Sequence, residues 1–306
     1  MENPDRRAAL KQLAALTLLP YIPYWLMKDH TIHTRPIPST QEPLPIIGLG
    51  TWQTFDVGEG KDVRQPLKEV LQTLYDKGGS VIDSSPMYGK SEKVVGELST
   101  NLKLNDQFFM ATKVWTSGKE QGIRQMNESF SFLKRQHMDL MQIHNLVDWQ
   151  THLKTLQEWK ESGKVKYLGI THYTESAYSS LEQILKNHSI DFLQINYSLT
   201  RRKAEERLFP LCQEKKVAVL INQPFESGNL FNRVRNKELP PWAKSELECQ
   251  SWGQVFLKFI LSHSAVTCVI PGTSKPHHML DNFGAGFGRM PDEKLRKEMI
   301  KLIASD

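Results

Sequence analysis

The chain of 306 residues is 39% hydrophobic and 24% charged, with a formal charge of +5. That is the composition of a globular protein long enough to bury a large core, not of a disordered one. Lys and Arg are scattered and not gathered in a stripe, so the mild positive balance suits an anionic small molecule and gives no sign of nucleic acid. Cys212, Cys249 and Cys268 are widely spaced, with no CxxC pair and no Cys/His cluster at ligand spacing. Neither a disulfide framework nor a metal site is indicated, and buried free thiols are expected.

Residues 1–30 differ from the rest. Arg6-Arg7 and Lys11 precede an apolar run from Gln12 to Met27, an arrangement that resembles a twin-arginine export signal. Pro20 and Pro23 interrupt the run, which is too short to span a bilayer as one helix. The expectation is a leader that directs export, to a periplasmic or membrane-associated position. The alternative is a surface extension of a cytoplasmic protein, with membrane-surface contact confined to residues 1–30.

From residue 31 to 306 one domain is expected. His33 to Ile37 and Pro43 to Pro45 suit a small β-hairpin. Eight β-rich runs then begin near Ile46, Gly79, Phe108, Met138, Val165, Ile190, Val217 and Val266, most about thirty residues apart, which is the length of a strand, a loop and a helix. Leu67, Val70, Leu71 and Leu74 fall on one helical face, followed by a stop at Gly78-Gly79. Trp252, Val255, Phe256, Phe259 and Ile260 repeat that face before the last strand. The longer final interval leaves room for a loop around residues 222 to 250. Alternation of this kind predicts parallel strands with helical crossovers, and eight units predict an α/β fold of the (β/α)8 TIM-barrel type, with the hairpin plugging its lower end.

In such a barrel the active site lies at the C-terminal ends of the strands. The second run ends at Asp83, the third at Lys113 and the fourth at His144, and Tyr88 follows the second in its loop. Singly, each has an ordinary structural reading: a turn cap, a solvated amine, a packed ring. Together they converge on one mouth. Lys113 answers the cost of burying Asp83 and stands beside the Tyr88 phenol. At roughly 4 Å that cation contributes about 4 kcal/mol in favour of the phenolate, so a lowered Tyr88 pKa and proton delivery near neutral pH are expected. His144 suits hydrogen bonding to the same substrate oxygen.

These residues, with Gly48-Leu-Gly-Thr-Trp52, Asp83-x4-Tyr88-Gly89, Thr112-Lys-Val-Trp115, Gln142-Ile-His144, Gly169-Ile-Thr-His-Tyr173, Gln194-Ile-Asn-Tyr-Ser198 and Ile270-Pro-Gly-Thr-Ser-Lys275, resemble the aldo-keto reductase superfamily over roughly residues 33 to 300. The resemblance implies hydride transfer between a nicotinamide cofactor and a carbonyl carbon. Tyr88 would be the general acid, Lys113 and Asp83 its tuning pair, and His144 the group that orients the carbonyl. Trp52 and Trp115 would line the substrate pocket.

The implied cofactor positions include Thr51 and Asp83. Thr171-His172, where the family commonly has Ser-Asn, and Gln194 would hold the carboxamide. Asn222 stands where a stacking Tyr is usual, and Pro224, Phe225, Gly228 and Leu230 belong to the loop over the pyrophosphate. Gly272 and His278 replace the Lys and Arg that often grip a 2′-phosphate; Thr273 and Lys275 are substitutes, and Asn282 suits adenine. NADP(H) is favoured and NAD(H) is the alternative. The function expected is reduction of an aldehyde or ketone; a non-catalytic nucleotide-sensing protein on the same scaffold is the runner-up, which the complete set of four polar residues disfavours.

Overall fold

The computed structural model describes residues 32–304; the expected leader lies outside the described residues. Thr34–Pro36 (β1) pairs antiparallel with Pro43–Pro45 (β2), giving the expected hairpin. Eight parallel strands follow: Leu49–Gly50 (β3), Val81–Asp83 (β4), Phe109–Val114 (β5), Met138–His144 (β6), Val165–Thr171 (β7), Phe192–Asn196 (β8), Ala218–Asn222 (β9) and Cys268–Val269 (β10). They neighbour one another in sequence order. Parallel bridges Ile47–Val269 and Gly50–Gly272 join the last strand to the first and close the ring. Gly50 is required for that closure, because a Cβ there would stand 2.8 Å from the Ile270 carbonyl oxygen.

The helices that return the chain between strands are Lys61–Asp76 (α1), Ser91–Asn101 (α2), Lys119–Leu133 (α3), Trp149–Glu161 (α4), Tyr178–Asn187 (α5), Leu208–Lys215 (α6) and Trp252–Leu261 (α9). The long stretch between β9 and α9, expected as a loop, carries two short helices, Asn229–Arg233 (α7) and Pro241–Ser245 (α8). Pro276–Gly284 (α10) and Glu293–Ala304 (α11) follow β10. In α1 the buried residues are Leu67, Val70, Leu71 and Leu74, the face that the sequence spacing marks. In α9 burial extends over every residue from Gly253 to Leu261. That helix is enclosed on all sides, so its apolar pattern exceeds a single stripe.

The core has two layers. Outward-facing strand residues such as Ile82, Met110, Met141 and Ile143 pack under the helices. Inward-facing residues fill the barrel, where Phe109, Tyr167 and Phe192 meet with ring centroids 5.4–6.0 Å apart. Ile37 and Leu44 of the hairpin join that inner cluster. The Tyr167 hydroxyl donates to Glu42 Oε2 at 2.6 Å, which fastens the hairpin to the barrel floor. The three cysteines are free and buried, as expected. Among the described residues no helix is long and apolar enough to cross a membrane.

Candidate active site

Strand periodicity builds the site. Side chains alternate between the faces of a strand, so each strand carries an apolar residue inward near the floor and, two or four residues later, a polar one inward near the mouth. Val81 leads to Asp83, Phe109 and Ala111 lead to Lys113, and Leu140 leads to Gln142 and His144. On the far side Phe192 leads to Gln194, and Leu220 leads to Asn222. The register places Lys113 beside Gln142, and Thr171 beside both His144 and Gln194.

Lys113 Nζ donates to Asp83 Oδ2 at 2.6 Å and to the Ser84 carbonyl at 2.7 Å. Both side chains are closed to water. The other carboxylate oxygen, Asp83 Oδ1, accepts from Gln194 Nε2 at 2.7 Å and from Gln142 Nε2 at 3.0 Å. A buried carboxylate surrounded in this way by one ammonium and two amides has its charge answered. Gln142 belongs to this network, although the motif that contains it assigns it no role by itself. The period-2 offset from His144 was the available signal, since it puts Gln142 on the inner face. Burial alone would depress the Lys113 pKa, but Asp83 and Tyr88 outweigh it and the net shift is upward.

Tyr88 reaches the site through a turn. Its backbone N–H donates to the Ser85 carbonyl at 2.9 Å. Gly89 then adopts φ +60°, and a Cβ there would strike the Asp56 carboxylate at 2.4 Å, which explains the Tyr-Gly pair. The Lys113 ammonium lies 5.0 Å from the Tyr88 ring centroid. The expected fall in the Tyr88 pKa is overturned: burial raises it, Lys113 opposes, Asp83 adds to the rise, and the net shift is upward. Desolvation of the buried phenolate is the largest influence and outweighs the cation, with the Asp83 charge adding to it. His144 packs edge-on to Tyr88, with centroids 5.8 Å apart. Burial first, then the charges of Lys113 and His172, push its pKa down to about 3, so the ring is neutral through the physiological range.

A cavity of about 1170 Å³ opens above these groups. Thr51, Asp83, Tyr88, His144, Trp52 and Trp115 line its strand-end side. Thr171, Gln194, Asn222, Pro224 and Phe225 line the next arc, and Gly228, Gly272, Thr273, His278 and Asn282 the far end. Four sequence-assigned positions are not on this lining. Lys113 lies beneath it, bonded to Asp83. Leu230 is fully buried in the core, where the chain turns into α7. Lys275 is exposed beyond the lining, at the residue that precedes α10. The ring of His172 turns back on its own loop, where Nδ1 accepts the backbone N–H groups of Tyr173 and Thr174 at 3.1 and 3.2 Å.

Some expected contacts are already committed within the protein. The Thr51 hydroxyl lies 3.0 Å from both the Asp83 carbonyl and Ser84 Oγ. Gln194 Oε1 accepts from Thr171 Oγ1 at 3.3 Å. By contrast Asn222 Oδ1 is buried without a hydrogen-bond partner among the described residues, and Asn222 faces the cavity. An orphaned buried acceptor at that point fits an incoming amide N–H. Sequence reasoning missed Met87 and Tyr173, which line the mouth while remaining 39% and 49% exposed. With Trp52 and Trp115 they give the entrance an apolar rim; large apolar residues placed in strand-end loops were the signal.

The chain matches the aldo/keto reductase family over residues 46–301. It is 27% identical over 248 residues to methylglyoxal reductase YeaE of Escherichia coli, spanning 78% of this chain and 84% of that protein. It is 26% identical over 241 residues to an NADH-specific methylglyoxal reductase of the same organism, spanning 69% and 72%. An aldo-keto reductase from Klebsiella pneumoniae solved in complex with NADPH superposes with a TM-score of 0.73 at 22% identity, covering 86% of this chain and 92% of that one.

Proposed function

The chain belongs to the aldo/keto reductase family, and from that premise we propose that it reduces an aldehyde or ketone with NADP(H), NADH being the alternative donor. The observation that carries this reading is the convergence of Tyr88 and His144 on one cavity floor, above the closed Lys113–Asp83 pair. Relatives named as methylglyoxal reductases and a structural neighbour holding NADPH support it. The cavity is larger than the several hundred Å³ common for single small ligands, which leaves room for a dinucleotide and a substrate together.

A nicotinamide bound in this mouth supplies a hydride to the carbonyl carbon. The residues that would hold the dinucleotide are Asn222, whose unpaired Oδ1 suits the carboxamide N–H, and the far-end set of Thr273, His278 and Asn282. The chain's own part is proton management. Tyr88 keeps its proton at rest because its pKa is raised, so the phenol is ready to donate to the carbonyl oxygen as negative charge grows there. The phenolate left behind faces the Lys113 ammonium. His144, neutral, fixes the same oxygen by a hydrogen bond. Trp52, Trp115, Met87 and Tyr173 favour a carbonyl compound with an apolar substituent.

The test is NADPH and NADH oxidation by the purified protein with methylglyoxal, aromatic aldehydes and small ketones. Turnover of at least one carbonyl compound supports the reading. Tight dinucleotide binding with no turnover on any of them would favour the nucleotide-sensing alternative.

The leader, residues 1–30, we propose to direct export of the folded protein. Arg6-Arg7 ahead of the apolar run supports this. Arg6→Lys with Arg7→Lys, followed by cell fractionation, tests it; a wild type found wholly in the cytosol ends the proposal.

A further inference from the structure

Ser85 lies two residues beyond Asp83 and is fully buried. Its hydroxyl oxygen stands 2.9 Å from His144 Nδ1 and accepts the Met87 backbone N–H at 3.2 Å. Its carbonyl accepts the backbone N–H of Tyr88. One serine therefore touches both residues that face the reacting carbonyl.

A neutral imidazole has one N–H, and the hydrogen bond made by one ring nitrogen decides which nitrogen carries it. Two arrangements fit a 2.9 Å contact. In the first, the Ser85 hydroxyl donates to Nδ1, so the Met87 N–H, the Ser85 O–H and Nδ1 are all paired, and the ring proton sits on Nε2. In the second, Nδ1–H donates to Ser85 Oγ. The hydroxyl proton then has no other acceptor among the described residues, in a position shut off from water. An unsatisfied buried donor costs roughly 1–3 kcal/mol, a bias of about 5- to 150-fold toward the first arrangement. Nε2 has no hydrogen-bond partner among the described residues, and His144 lines the cavity.

We infer that Ser85 is a positioning residue that holds His144 in its Nε2–H tautomer, so that a donor and not a lone pair meets the substrate carbonyl oxygen. The inference rests on the carbonyl-reduction reading for its consequence, but the tautomer itself can be read without turnover. In the opposite tautomer the Nε2 lone pair would face the lone pairs of the carbonyl oxygen and repel them. The low His144 pKa is consistent with a single ring proton that must be placed, not shared between both nitrogens.

The experiment is a long-range proton–nitrogen correlation spectrum of protein labelled with nitrogen-15 histidine. The chain has 10 histidines, and the His144→Gln variant identifies the His144 signals by their loss. The wild type should show Nε2 protonated and Nδ1 bare. Ser85→Ala should shift His144 toward a tautomer mixture and lower kcat/KM for the carbonyl substrate about 5- to 10-fold, mostly through kcat, with dinucleotide affinity unchanged. Ser85→Thr, which keeps the hydroxyl, should restore both readouts. A wild-type ring protonated at Nδ1, or a Ser85→Ala spectrum identical to wild type, overturns the inference. If no carbonyl compound is reduced at all, the functional reading fails separately, and the spectrum still decides the tautomer.

Discussion

Lys113 Nζ lies 2.6 Å from Asp83 Oδ2, with the two side chains 0% and 3% exposed. Breaking such a pair from one side strands the other charge in a place water does not reach. Asp83→Asn should therefore lower the unfolding free energy by about 3–5 kcal/mol. Adding Lys113→Met removes the stranded ammonium and should recover a large part of that loss. Urea unfolding of the single and double variants measures both. A double variant no more stable than Asp83→Asn would show that the loss has another source.

Tyr88→Phe removes the proton donor and little else. Carbonyl reduction should fall by about 10²- to 10⁴-fold, while the dissociation constant for NADPH, followed by fluorescence, stays nearly constant because the phenol does not hold cofactor. Activity within a few fold of wild type would take Tyr88 out of the mechanism.

The pH dependence of reduction follows from two shifts. Tyr88 titrates above the ordinary phenol value of 10.0, and His144 titrates at about 3. Neither changes protonation between pH 5 and 9, so kcat/KM for reduction should be flat across that range and fall only in stronger alkali. Alcohol oxidation, which needs the phenolate as base, should instead rise with pH. An alkaline limb for reduction near pH 7 to 8 would mean that Lys113 lowers the phenol pKa after all.

Glu92 on α2 is buried between Thr112 and Ser129, whose hydroxyls it accepts. Burial raises its pKa to about 7, against those hydrogen bonds and Lys113. The folded state therefore holds a proton between pH 4.5 and 7 that the unfolded chain releases. The stabilisation this gives is complete at the acid end and is lost as pH rises through 7. Glu92→Gln should remove that dependence, lessening the decline in stability between pH 5 and 8 by about 2–3 kcal/mol. Parallel decline in variant and wild type would place the titration elsewhere.

His278 lines the far end of the cavity and Lys275 does not, so the charge that reads a 2′-phosphate is better altered at His278. Burial and the neighbouring His277 and Lys275 hold the His278 pKa down, leaving no fixed charge there at neutral pH. His278→Arg should tighten NADPH by about tenfold or more and NADH little, since a charge-assisted hydrogen bond contributes roughly 1.5–3 kcal/mol, or about 12- to 150-fold. Titration with both dinucleotides checks this, and an equal gain for both would mean that the side chain does not face the phosphate.

The barrel is legible in the amino-acid order alone. Each of the eight strands begins within three residues of its β-rich run, because strands buried on both faces need unbroken apolar segments and glycine or polar residues bound them. That order also determined which polar residues stand at the mouth, since strand ends and a two-residue period are local properties. Whether those groups meet, and what each then does to the other, depends on distances across the ring. The Tyr88 shift reverses because the phenol is buried and the Asp83 charge adds to that, against Lys113, and both facts belong to packing. Leu230 and Lys275 sat in the right segments, yet α7 turns one into the core and α10 carries the other outside the cavity. Gln142 on Asp83 and Ser85 against His144 each join residues 59 positions apart, while Asn222 Oδ1 meets no partner among the described residues, and only closure of the barrel decides which buried polar group is paired.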